Sequence, residues 1–166
     1  MLKPGTGAFG ADKGNILARI FNLTEMESEN KSKITVATTV NAPVEKTWNY
    51  WTEPEHIKQW NSASDDWHTP LAENDLHVGG RFLSRMEAKD KSFGFDFGGV
   101  YDDVRINEYI EYTLGDERKV QITFSGNGNE TTVSETFEAE DTHSTELQRG
   151  GWQAILDNFK TYTESH

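Results

Sequence analysis

The sequence predicts an α+β domain in which a curved, seven-stranded antiparallel sheet wraps around one long C-terminal helix, with two short helices after the first strand. Three observations carry this. Residues 144–162 have a helical period, with Leu147, Gly151, Ile155 and Phe159 every fourth residue and Trp152 and Leu156 beside them. Seven stretches alternate apolar and polar residues, as half-buried strands do. Well-signalled turns separate most of these stretches. An amphipathic helix and a half-buried sheet each have an apolar face to cover, and each can cover the other.

Residues 1–14 are Gly-rich and without period, which predicts disorder. Ile16, Leu17, Ile20, Phe21 and Leu23 follow at roughly helical spacing, in a stretch too short to hold a helix alone. Met26 would make a natural chain start. Residues 1–32 therefore read as a leader or tag-like segment, the alternative being a short docking helix, and the domain as residues 33–163. Residues 34–40 alternate β-branched side chains and form the first strand. Pro43 suits the first helical position, and Val44, Trp48 and Trp51 then share a helical face. Thr52 to Glu55 match a capping box that opens a second short helix, with Ile57 and Trp60 inward. Six further strands are expected at about 67–73, 80–88, 93–103, 106–114, 118–125 and 130–138. Their turns are marked by Gly79-Gly80, Lys89-Asp90-Lys91, Gly115-Asp116 and Ser125 to Asn129. Gly98-Gly99 inside a strand predicts a bulge or bend where the sheet curls. Ser144 is the expected N-cap of the last helix, and Glu146 suits its positive end. Gln148, Gln153, Asp157 and Lys160 fall on its polar face. Gly150 and Gly151 weaken that helix; the compensation is a close approach to the sheet, or room for something between them.

One domain of this length can bury a real core, and five Trp and nine Phe among 166 residues supply its area. A net charge of −12 disfavours nucleic acid or an anionic membrane as partner. No Cys is present, which excludes disulfides, thiol nucleophiles and thiolate metal sites. No run is long and apolar enough to span a bilayer, and no signal-peptide core is seen, so a cytoplasmic location is expected.

The fragments NAPVEKTW (Asn41–Trp48), WTEPEHIKQW (Trp51–Trp60), GGRF (Gly79–Phe82), FGFDF (Phe93–Phe97) and GWQAILDNF (Gly151–Phe159) occur in this order. In combination they resemble the homologues of the heat-shock protein 90 ATPase activator C-terminal domain, within the START-like, or SRPBCC, superfamily. The resemblance covers about residues 33–163. It implies a helix-grip fold around a deep cavity and, for most of the superfamily, binding of apolar small molecules, with catalysis in some branches. The eukaryotic activators carry an additional N-terminal domain that engages the chaperone. This chain has no room for it, so a chaperone partner is not expected.

Two constellations follow from the strand alternation. Phe82, Ser84 and Met86 share a face, as do Phe93, Phe95, Phe97 and Tyr101, then Ile110, Tyr112 and Leu114, and Val120, Ile122 and Phe124. With Trp60, Trp67, Trp152 and Ile155 these side chains line an apolar pocket or, alternatively, form a plain packed core. Glu135 lies between Val133 and Phe137 on an inward face. A carboxylate there is costly unless paired, hydrogen-bonded or protonated. It reads as a ligand anchor or a general acid/base, with Tyr112 or Tyr101 as helper, or else as a structural pair with an Arg, a Tyr hydroxyl or water at the sheet edge. The five His form no metal-ligand pattern, no nucleophile elbow is present, and the glycines near residue 98 fit no phosphate loop. No metal and no cofactor are expected. The leading functional expectation is non-catalytic binding of a hydrophobic or amphipathic small molecule by a monomer or homodimer. The alternatives are a cofactor-free cyclase-, dehydratase- or isomerase-like enzyme using Glu135, and a chaperone-regulating or other protein-interaction module.

Overall fold

A computed structural model describes residues 32–166. The expected disorder and short helix of residues 1–31 lie outside the described residues. The elements are β1 (Lys33–Val40), α1 (Val44–Thr52), α2 (Pro54–Trp60), β2 (Trp67–Asn74), β3 (Arg81–Ala88), β4 (Gly94–Arg105), β5 (Tyr109–Leu114), β6 (Lys119–Asn127), β7 (Glu130–Glu138) and α3 (Thr145–Ser165). The strands form one sheet in the order β1-β7-β6-β5-β4-β3-β2, each neighbouring pair antiparallel. This is the helix-grip fold: the sheet curls as a half-barrel and α3 fills its concave side.

Alternation decides which side chains go inward. On β6, Val120, Ile122 and Phe124 are buried and the residues between them exposed; β1 buries Ile34, Val36 and Val40 in the same way. Leu156 and Phe159 of α3 are fully buried against this face. Burial of such side chains contributes about 1.5–3 kcal/mol each. The rings of Trp51 and Trp60 meet Phe159 edge-on at 4.8 and 4.9 Å, so α1 and α2 close one end of the half-barrel. Asn158 Nδ2 donates to the Trp60 carbonyl (2.8 Å) and ties α3 to the end of α2.

Both sheet edges are protected. Arg149 and Gln153 of α3 donate to the carbonyls of Thr35 (3.1 Å) and Ala37 (3.2 Å), and Lys160 donates to that of Thr39. These alternate carbonyls lie along the free edge of β1, which α3 therefore covers. The opposite edge strand, β2, carries Pro70 in a register shift between His68 and Leu71.

Several local expectations change. Pro43 is the N-cap of α1, one residue before the helix, in extended conformation. The capping box at Thr52 does not form: Thr52 Oγ1 donates to the Trp48 carbonyl (2.8 Å), and Pro54 alone opens α2. Residues 106–108 are a turn rather than the start of a strand, with Asn107 at φ 66°. The strand pairing runs unbroken through Gly98-Gly99, and the bulge lies further on, between Tyr101 and Asp103. The glycines serve close approach: a Cβ on Gly98 would sit 2.7 Å from the Phe82 carbonyl oxygen, and one on Gly99 would collide with that of Thr113. Ser144 does cap α3, its hydroxyl accepting from Leu147 N at 3.1 Å. Leu147 itself is 62 % exposed, whereas Gln148, expected on the polar face, is buried. The inward stripe thus begins at Gln148 and continues through Trp152, Ile155, Leu156 and Phe159. Among the described residues no helix is long and apolar enough to cross a membrane.

Candidate functional site

The sheet and α3 do not close on each other along their full length. Between them lies a cavity of about 490 Å³, within the range of small-molecule sites. The sheet wall is Phe82, Ser84 and Met86 of β3, Phe95, Phe97 and Tyr101 of β4, Ile110 and Tyr112 of β5, and Glu135 of β7. Trp152 and Ile155 of α3 face them, and Trp51, Ile57 and Trp60 close the end formed by α1 and α2. Eleven of the thirteen residues expected in the pocket are therefore brought together. Phe95 is 40 % exposed while also lining the cavity, so the cavity reaches solvent there.

Two expected residues lie elsewhere. Phe124 is 5 % exposed but belongs to the packed core, edge-on to Trp48 and Trp51 at 5.1 and 5.9 Å. Its strand position was read rightly, but α1 covers that end of β6. Trp67 lies against Phe93 and Phe95 (6.1 and 5.9 Å) outside the lining. Phe93, placed on the inward face with Phe95, precedes β4 and is 64 % exposed.

The rings are organised around Phe82 and Trp152. Phe82 meets Tyr112 edge-on at 4.6 Å and Tyr101 at 5.3 Å. Trp152 lies flat on Phe137 (3.9 Å, 11°) and turns toward Phe97 at 6.0 Å. Gly151 occupies the same side of α3 as Gln148, Trp152 and Ile155, and a Cβ placed on it would have nothing within 4 Å. Close approach is therefore not what either glycine of the pair serves, since a Cβ on Gly150 also has nothing within 4 Å.

The polar groups divide into those already satisfied and those facing the void. Tyr101 donates its hydroxyl to Asn74 Oδ1 (2.5 Å), and Asn74 Nδ2 donates to the Thr52 carbonyl (2.7 Å), a bridge from sheet to α1. The Tyr101 hydroxyl is thereby occupied, and burial raises its pKa. Arg118 Nε donates to Asp116 Oδ2 at 2.8 Å. Gln148 holds the loop between β7 and α3: its Oε1 accepts from Glu140 N (2.9 Å), and its Nε2 donates to the carbonyls of Glu140 (3.0 Å) and His143 (2.8 Å). His143 Nδ1 lies 2.6 Å from Glu140 Oε1. That loop brings Glu140 and His143 to the cavity.

Glu135 differs from all of these. It is 5 % exposed and sits in register between Val36 on β1 and Ile122 on β6. Its carboxyl has no hydrogen-bond or ion-pair partner among the described residues, so neither an Arg nor a Tyr hydroxyl pairs with it. Burial alone raises its pKa from 4.5 to about 8. The Tyr112 hydroxyl, also without a hydrogen-bond partner among the described residues, is pushed well up by burial and then by the nearby Glu135 charge. At neutral pH the pair can donate as well as accept hydrogen bonds inside an apolar cavity. Among the described residues no cluster of His, Asp and Glu could hold a metal ion.

Sequence reading missed the polar rim: Asn61, Glu73, Asn74, Arg118, Glu140, His143 and Gln148. Two carried a usable signal: Gln148 stands four residues before Trp152 and seven before Ile155 on one helical face, and Arg118, at the start of the strand expected at 118–125, shares the parity of Val120, Ile122 and Phe124.

Comparison with known proteins agrees with this architecture. A family model described as Activator of Hsp90 ATPase homolog 1-like protein matches residues 41–164. The solution structure of the AHSA1-like protein from Aeromonas hydrophila is 42% identical, with a TM-score of 0.76 over 81% of this chain and 93% of that one. A Cytophaga hutchinsonii protein is 56% identical, with a TM-score of 0.70 over 80% and 92% of the two chains. A Chromobacterium violaceum protein, at 22% identity and a TM-score of 0.73 over 80% and 98%, shares the fold. No curated protein matches the chain.

Proposed function

The chain belongs to the Activator of Hsp90 ATPase homolog 1-like family, and from that premise we propose that it binds a hydrophobic or amphipathic small molecule between its sheet and its C-terminal helix. One observation carries the reading: a cavity of about 490 Å³ whose walls are mostly aromatic and aliphatic, with a few polar groups placed to orient a ligand. An apolar ligand there would bury aromatic surface at roughly 25 cal/mol per Å². Ordering costs reduce the net affinity. The fold family is commonly a ligand-binding scaffold, which agrees.

A specific observation favours a second reading. Glu135 is an unpartnered carboxyl in the cavity, held protonated at neutral pH with the Tyr112 hydroxyl nearby. A group with a pKa near the working pH suits general acid/base catalysis. On this reading the ligand is a substrate, Glu135 moves a proton, and Tyr112 assists.

Native mass spectrometry of freshly purified protein tests the binding reading by looking for a co-purifying ligand. A fluorescence titration with apolar aromatics and fatty-chain compounds supplies affinities. If nothing co-purifies or binds, and xenon finds no void beside Trp152, the aromatic constellation is only a core.

A further inference from the structure

Resting on the binding reading, we propose that the cavity selects a lipophilic amine, with its ammonium group against Glu135 and its apolar body among the rings of β3, β4 and α3. Geometry comes first. Glu135 stands on the sheet wall of the cavity, is 5 % exposed, and has no partner among the described residues. A buried carboxyl without a partner is an unfavourable element of a fold, and the ligand group that best relieves it is a cation with protons to donate. The rings complete the arrangement, because faces of Trp and Tyr attract a cation that has left water. Trp152, Phe82, Phe97 and Tyr112 surround the void at mutual centroid distances of 4.6 to 6.4 Å.

The charge inventory points the same way. Glu73 and Glu140 add two carboxylates to the lining. Its two potential cations are both engaged with acids, Arg118 with Asp116 and His143 with Glu140. An anionic headgroup would find no uncommitted cation among the described lining residues and would approach a wall of its own sign. A neutral carbonyl ligand is the closer competitor, since it could accept from protonated Glu135 or from Tyr112.

The two differ in proton linkage. A carboxyl with a pKa of about 8 is mostly protonated at pH 7. An ammonium ion demands the ionised form, so amine binding releases close to one proton and strengthens about tenfold between pH 7 and 9. Tyr112, which feels the Glu135 charge, and Tyr101, which bonds Asn74, are both raised and remain neutral over that range.

The test is isothermal titration of the full chain with decylamine, decanol, 2-undecanone and decanoate, below their micellar concentrations, in two buffers of different ionisation enthalpy. Decylamine is expected to bind at least tenfold tighter than the other three, with release of nearly one proton at pH 7. Glu135→Gln should lower decylamine affinity at least tenfold and abolish the proton release, and should change decanol affinity far less. If decanol, the ketone or decanoate binds as well as decylamine, or no proton is released, the amine inference fails while the cavity reading stands. If none of the four binds, the amine inference fails, and the co-purification and xenon measurements decide the cavity reading separately. Proton release is read on the parent protein, so the inference stays testable even if the variant folds poorly.

Discussion

The indole of Trp152 lies flat on the Phe137 ring, with centroids 3.9 Å apart and planes 11° from parallel. This contact joins the middle of α3 to β7 two residues from Glu135. It also sets the width of the cavity, because Trp152 turns from Phe137 toward Phe97 across the void. Trp152→Ala should cost about 2–4 kcal/mol, less than a fully buried Trp because the ring already borders open space. Trp152→Phe should recover most of that, since stacking on Phe137 survives. Urea unfolding of the three proteins at one temperature checks the order.

Glu135 makes stability depend on pH in an unusual direction. Its folded pKa, about 8, lies above the ordinary 4.5, so between these values the folded state binds more protons than the unfolded one. Its favourable contribution is complete below about pH 4.5, declines as pH rises, and is gone above about pH 8. The span corresponds to a ceiling of about 5 kcal/mol, which water entering the cavity would reduce. Glu135→Gln removes the titration. The variant should gain stability relative to the parent from pH 5 to pH 8, and denaturant midpoints at each pH should diverge accordingly. A constant difference would mean that the carboxyl is ionised throughout or solvated as well as in the unfolded chain.

Gln148 is a structural polar group that sequence periodicity had placed on the wrong face. Its amide makes three hydrogen bonds to the backbone of residues 140 and 143 while buried. Gln148→Ala strands the Glu140 amide and two carbonyls, and should cost about 1–3 kcal/mol. Amide hydrogen exchange should accelerate in residues 139–144 while β5 and β6 keep their protection. Uniform acceleration over the whole sheet would show that the loop is not a separately opening unit.

The contrast between Gln148 and Glu135 explains how much of the site could be read from the residues. Strand alternation has a period of two and tolerates no slip, so Phe82, Ser84, Met86, Tyr112 and Glu135 were placed on the cavity wall directly. The turns were legible wherever Gly or Asp marked them, but not at Asn107, which tolerates its positive φ yet stands without a Gly or Asp beside it. Helical periodicity is looser. Leu147 and Gln148 are neighbours near the stripe edge, and apolarity alone favours the wrong one. What decides is that the β7–α3 loop offers backbone groups only an amide can satisfy. Glu140 and His143 come from the loop between β7 and α3, where no period exists to aim a side chain. Phe124 failed for the opposite reason: its face was right, but Trp48 and Trp51 fill the space in front of it.

Gly150 and Gly151 permit a test that separates helix stability from cavity volume. A Cβ on either has nothing within 4 Å, so neither glycine is required by a close contact. Gly150 is exposed, and Gly150→Ala should raise stability by about 0.5–1 kcal/mol through helix propensity alone. Gly151 is half-buried between Gln148 and Ile155 on the cavity side of α3. Gly151→Ala should stabilise similarly and leave binding nearly intact, because one methyl removes little of about 490 Å³. Gly151→Leu gains the same propensity but projects an isobutyl group toward the void. It should fold at least as stably as the parent and lose affinity for any compound that binds between Trp152 and the sheet. Thermal melts establish the first half and ligand titrations the second. Undiminished binding by a stable Gly151→Leu protein would place the ligand elsewhere than beside this helix.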